Sequence, residues 1–203
     1  MIAVIDGGGA NFLSVTTALD KLKIDYEFTH NADVINSANG VILPGVGSAK
    51  YAMEHLKKHG LVDVLRNLKT PLLGICLGMQ LLYEHSSEGD VDCLGVVAGR
   101  VNRFIPDTNL IVPHMGWNNL NVEVHSPLIN GLGQDDNVYF VHSFYAPVNE
   151  ATIASCDYGN RFSAIVQNNN FYGMQFHPEK SGILGELLLS NFFGIVNDNL
   201  SSN

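Results

Sequence analysis

Pro71-Leu-Leu-Gly-Ile-Cys-Leu-Gly-Met-Gln-Leu-Leu-Tyr83 passes without a charge from an apolar run into a glycine-flanked cysteine, then into a helical spacing of Leu77, Leu81 and Leu82. Such a succession predicts strand, sharp turn and helix. Gly74 and Gly78 stand two residues before and two after Cys76, where a nucleophile in a strained turn needs small neighbours so that strand and helix can approach closely. Cys76 would sit at the helix N-terminus, whose partial positive charge favours thiolate over thiol. An isolated cysteine in an apolar run is more often a buried core residue. The paired glycines shift the reading towards a nucleophile.

The surrounding chain is that of a globular α/β protein. Its 203 residues are 46% apolar and 15% charged, which fits one domain over 1–203 with a substantial core. The net charge of -9 and the scattered lysines and arginines offer no basic stripe for nucleic acid or an anionic membrane. Cys76, Cys93 and Cys156 form no C-x-x-C pair, so neither a disulfide framework nor a zinc ribbon is indicated. Met1 to Asp6 has no basic region or cleavage site, and no apolar run has the length of a membrane span. A reducing cytoplasm is the expected location.

From the N-terminus, Ile2 to Ile5 reads as a buried strand and Asp6 to Ala10 as a glycine turn. Phe12, Val15, Ala18, Leu19 and Leu22 then fall on one helical face. Strand, turn and helix at the outset suggest a parallel sheet whose carboxyl-edge loops bind ligands. Gly7-Gly8-Gly9 does not complete a dinucleotide fingerprint, because Phe12 stands where the third glycine belongs. Tyr26 to Thr29 and Val41 to Leu43 are further strands. The second of these leads into Pro44-Gly45-Val46-Gly47-Ser48, a loop able to offer backbone N–H groups to an oxyanion, and then into a helix through Tyr51, Met53 and Leu56. Leu61 to Leu68 forms another helix. From about Asp92 to Val166 the alternation fades into short runs (110–112, 120–124, 138–141, 152–154 and 162–166), read as antiparallel additions to the same domain. Phe171 to Phe176 is a last strand, followed by a closing amphipathic helix from Ile183 to Ile195 and a polar tail from Asn197 that should fray.

A cysteine nucleophile needs a base, and the base needs an orienting partner. His177 and Glu179, two apart on a segment expected to be extended, would point to the same side, with Pro178 disfavouring helix there. His30, His55, His59, His85 and His125 are set aside as ordinary histidines. His114 and His142 lie in no dense ligand spacing, so no metal is assigned, and no cofactor is called for.

Gly74-Ile-Cys-Leu-Gly-Met-Gln80 and Gln175-Phe-His-Pro-Glu-Lys-Ser181 together resemble the class I (triad) glutamine amidotransferases. Pro113-His-Met-Gly-Trp-Asn118 and Tyr139-Phe-Val-His-Ser143 are similar to the glutaminase subunits of imidazole glycerol phosphate synthase within that family. The resemblance implies a three-layer, flavodoxin-like α/β fold: a central, mostly parallel sheet with helices on both faces and added antiparallel strands. It implies that Cys76 attacks glutamine, that His177 is general acid and base, and that Glu179 orients it. It assigns the oxyanion hole to the N–H groups of Val46 and Leu77, and substrate contacts to Gly45, Gly47, Gln80, Glu88, His142 and Ser143. Asn11, Trp117 and Tyr139 match positions facing the partner, a HisF-type (β/α)8-barrel cyclase that would receive the ammonia in a heterodimer. The opening Asp6-Gly-Gly-Gly-Ala-Asn11, Ile111 and Phe144 depart from the family pattern without touching the triad. A paralogue feeding another barrel synthase and a catalytically silent scaffold are the rival readings.

Overall fold

The computed structural model describes residues 1–6, 12–45, 47–108, 110–133 and 136–201, with the backbone alone at 12 and 13. The first half runs β1 (Ile2–Ile5), α1 (Phe12–Lys21), β2 (Tyr26–Thr29), α2 (Ala32–Ser37), β3 (Gly40–Gly45), α3 (Ala49–Lys58), α4 (Leu61–Arg66), β4 (Leu72–Cys76) and α5 (Leu77–Gln80). Then follow β5 (Tyr83–Ser86), β6 (Val91–Asp92), β7 (Val97–Arg103), β8 (His114–Asn119), β9 (Asn121–Val122), β10 (Asn137–His142) and β11 (Phe144–Tyr145). β12 (Thr152–Tyr158), β13 (Asn160–Asn168), β14 (Phe171–Met174) and α6 (Gly182–Ser201) complete the chain.

Among the described residues the main sheet has the order β2-β1-β3-β4-β14-β13-β12-β9. Its first five strands are parallel, in the order of a flavodoxin-like fold, and the remaining three are antiparallel additions. Period-two alternation sorts its side chains into two layers. Ile2, Val4, Leu73 and Ile75 join Leu19 of α1 and Leu188 and Phe192 of α6, whereas Ala3, Ile5, Val41 and Leu43 pack with Ile35, Met53, Leu56 and Leu65 from α2, α3 and α4. β8 and β10 form a separate antiparallel ribbon, and β11-β7-β5-β6 a smaller sheet. Among the described residues no helix is long and apolar enough to cross a membrane.

Several sequence expectations need correction. The helix after Cys76 ends at Gln80, because Leu94 N–H and the N–H groups of Val96 and Val97 take the carbonyls of Leu81 and Leu82 and draw the chain into β5. Residues 110–112 are a loop rather than a strand: Leu110 N–H donates to the Asp107 carboxylate and the Ile111 carbonyl accepts from the Tyr158 hydroxyl, so neither pairs in a ladder. Pro178 opens a 3-10 turn over Pro178–Lys180, where its missing N–H would have no helical partner anyway. The tail from Asn197 stays helical to Ser201, whose hydroxyl bonds back to the Asn197 carbonyl. α2 went unread; its mark was the Asn31 side chain, which caps it by accepting from Asp33 N–H.

Candidate active site

Cys76 ends β4 with φ 54 and ψ −109, a strained conformation for a residue with a side chain. Crowding imposes it. A Cβ on Gly78 would stand 1.8 Å from the Leu43 carbonyl oxygen, one on Gly74 2.6 Å from the Gly78 carbonyl carbon, and one on Gly45 2.6 Å from the Gly78 nitrogen. Only glycine lets β3, β4 and α5 meet so closely, and the turn that results lifts the cysteine to the sheet's carboxyl edge. α5, with four residues, carries little of a helix macrodipole, so the positive partner a thiolate needs comes from elsewhere.

It comes from the adjacent strand. β14 pairs in parallel with β4, Met174 opposite Ile75, so the residues following Met174 leave the sheet beside Cys76. His177 lines the same pocket as Cys76, whose sulfur acts on the ring, and its Nδ1 lies 2.8 Å from Glu179 Oε1. Both side chains are nearly sealed from solvent, at 4% and 1% exposure, so this ion pair acts in a low-dielectric setting. Burial alone would lower the His177 pKa; the nearby Cys76 sulfur and the hydrogen-bonded Glu179 carboxylate override it and push the imidazole up to about 10. The pair meets through the 3-10 turn rather than along the extended segment expected from the sequence.

Cys76, Leu77 and His177 line a pocket of about 380 Å³ together with Gly45, Gly47, Gln80, Glu88, Val141, His142 and Ser143. Glu88 takes the Ala49 N–H at 2.8 Å; burial raises its pKa while that bond lowers it. Gln80 is locked, its amide donating to the Phe144 carbonyl and to Gln175 Oε1, both at 2.9 Å. His142 is also committed, with Nδ1 2.7 Å from the Phe144 carbonyl and Nε2 3.0 Å from His114 Nδ1. Burial drives both rings towards the neutral form, His142 to about 3 and His114 to about 4. With Nδ1 of His142 facing a carbonyl, the tautomers follow: His142 donates there and accepts at Nε2 from His114. Among the described residues no group of three His, Cys, Asp or Glu could hold a metal ion.

Trp117 is exposed on β8, 6.0 Å between ring centroids from Tyr139 on β10. Asn11 and Val46 lie outside the described residues. Sequence reasoning passed over Gln175, fully buried, whose amide donates to Cys76 Sγ at 3.9 Å while its oxygen receives Gln80. Its only signal was its place two residues before His177. It likewise tested His114 for metal alone, not as the partner of His142.

A strained cysteine elbow beside a His–Glu pair on a flavodoxin-like sheet defines a class of protein, and residues 3–195 match the family described as glutamine amidotransferase class-I. The chain belongs to the class I glutamine amidotransferases, a family of enzymes. Within the family it is similar to "Imidazole glycerol phosphate synthase subunit HisH 2" of Legionella pneumophila (strain Paris), at 51% identity over 195 residues, covering 96% of this chain and 98% of that protein. It is also 50% identical over 191 residues to the HisH subunit of Xanthomonas euvesicatoria pv. vesicatoria, covering 94% and 96% of the two chains. Among solved structures, PurLQS from Thermotoga maritima superposes with a TM-score of 0.70 over 95% of this chain and 97% of that one. At 19% identity that likeness shows the fold alone.

Proposed function

We propose that this chain is the glutaminase subunit of an imidazole glycerol phosphate synthase, the enzyme that the HisH relatives' names give, and that it works in histidine biosynthesis. The observation that carries the reading is that Cys76 and His177, the latter hydrogen-bonded to Glu179, line one pocket at the mouth of two neighbouring parallel strands. Cys76 Sγ, its proton already held by His177, attacks the side-chain amide carbon of glutamine. The tetrahedral oxyanion is held by the N–H of Leu77 and that of Val46. His177 then protonates the departing nitrogen, ammonia leaves, and a thioester to Cys76 remains. Water, deprotonated by His177, cleaves the thioester to glutamate. Glu179 keeps the imidazole oriented and stabilises its charged form throughout. Glu88 takes the substrate's α-ammonium, and Ser143 its carboxylate side, within the pocket that both line.

The ammonia passes to a HisF-type (β/α)8-barrel cyclase in a heterodimer. Exposed Met115 and Trp117 on β8, beside Tyr139, supply an apolar surface for that partner. Gly45, opposite Cys76 in the strand register, and Gly47 border the pocket, and partner binding completes the oxyanion donors there. The test is glutamate release by the purified chain with and without the cyclase and its acceptor. Strong activation is expected; equal rates defeat the activation step, and no release in either state defeats the enzyme reading. Cys76→Ala should abolish glutamine-dependent synthesis by the complex while supplied ammonia still supports it.

A further inference from the structure

His85 was set aside as an ordinary histidine, and the smaller sheet gives it a particular setting. β5 lies between β6, antiparallel, and β7, parallel, with His85 opposite Asp92 on one side and Arg100 on the other. Its Nδ1 is 2.9 Å from Asp92 Oδ1 and its Nε2 3.0 Å from Asp90 Oδ1, while Arg100 reaches the same Asp90 oxygen at 3.3 Å. Ionised carboxylates only accept hydrogen bonds, so two of them facing both ring nitrogens are satisfied together only by the doubly protonated imidazolium. The neutral ring leaves one lone pair against a carboxylate oxygen.

What His85 and Asp92 bracket, as opposite residues of β5 and β6, is the turn that carries Glu88. Glu88 N–H donates to the buried Ser86 hydroxyl, the Glu88 carboxylate takes Ala49 N–H at the start of α3, and a Cβ on Gly89 would stand 2.7 Å from Lys50 Cβ. Asp90 has a φ of 49, so the turn closes through a left-handed residue whose carboxylate His85 and Arg100 hold. The charged groups facing this network are Asp90 in the turn, Asp92 on β6 and Arg100 on β7, with Lys57 of α3 and Arg66 of α4 acting on Asp92.

We propose that His85 is a positioning residue for glutamine binding: its ring ties Asp90 to Asp92, closes the turn and so holds the Glu88 carboxylate in the pocket. The proposal rests on the reading of Glu88 as the α-ammonium site. Because the network is partly exposed, its effect on affinity is that of an ordinary ion pair, about three- to fivefold.

Steady-state glutamine kinetics on the full chain with its barrel cyclase test it. His85→Gln should raise KM about three- to fivefold with kcat unchanged. His85→Arg, which keeps donors for both carboxylates, should hold a KM near wild type. A KM for His85→Gln equal to wild type, a fall in kcat with KM unchanged, or an arginine variant that behaves like the glutamine variant would each overturn the proposal. Glu88→Gln separates the two claims. A large rise in its KM with no response in His85→Gln sinks the positioning role alone, and no rise in Glu88→Gln sinks both.

Discussion

Two histidines wall one pocket and are driven in opposite directions. His177, in the turn after β14, rises to about 10; His142, at the end of the β8–β10 ribbon, falls to about 3. Both are buried, at 3% and 6% exposure, so burial cannot be the difference. The neighbours are. His177 has a buried carboxylate and a cysteine sulfur as partners, which together outweigh the cost of charging it, whereas His142 has a carbonyl and a second imidazole, neither of which can carry a compensating negative charge. One ring is set to hold a proton, the other to stay neutral and fix a wall.

Removing the carboxylate should break the contrast with the largest effect. Glu179→Gln is expected to lower partner-activated glutamine hydrolysis by about 10³- to 10⁴-fold, as loss of a triad carboxylate does elsewhere, and to bring the His177 titration in an NMR experiment well below 10. Ammonia-dependent synthesis by the complex should survive. A loss below about tenfold would mean that Glu179 does not orient the base.

A smaller effect is expected on the other side. His142→Phe leaves the His114 Nδ1–H and part of the Phe144 carbonyl without a partner, so urea denaturation should show a loss of about 1–3 kcal/mol. The His177 titration should not move; if it did, the two sites would be one network rather than two.

The smallest effect, per unit of pH, sharpens the contrast through stability itself. His142 and His114 have depressed folded pKa values, so below pH 6.5 the unfolded chain takes up protons that the folded one refuses. Stability should fall towards pH 4 by about 1.4 kcal/mol per pH unit for each fully coupled group. His177 has the opposite sign: its contribution is complete below pH 6.5 and is lost as pH rises through about 10. Urea melts at pH 5, 6.5 and 9 should therefore show a maximum near the middle value, and Glu179→Gln should flatten the alkaline side alone.

The parallel half of the fold was legible because each of β1, β3 and β4 is a short apolar run ended by glycine or a turn, and α3 and α4 follow with helical spacing. The elbow was legible for the same local reason: Gly74 and Gly78 are demanded by contacts within a few residues of Cys76 or with its neighbouring strand. The length of α5 and the loop at 110–112 were not, because each is decided by a hydrogen bond from a distant segment; the 3-10 turn at Pro178–Lys180 instead closes on local bonds, from Lys180 N–H to the His177 carbonyl and from Ser181 N–H to that of Pro178. Gln175 and His85 were missed because their partners, Gln80 and Cys76 in one case and Asp90, Asp92 and Arg100 in the other, are gathered by strand pairing.

By itself the amino-acid order determined the chemistry on offer: a cysteine between glycines, an imidazole with a carboxylate two residues on, and the alternation that buries a sheet on both faces. The tertiary structure decided which of those groups carry charge and which stay neutral. The reason is physical. A propensity or a spacing acts over a few residues, but the state of a buried imidazole depends on every group within a few ångströms, and those groups are brought from up to about a hundred positions away by the parallel pairing of β14 with β4.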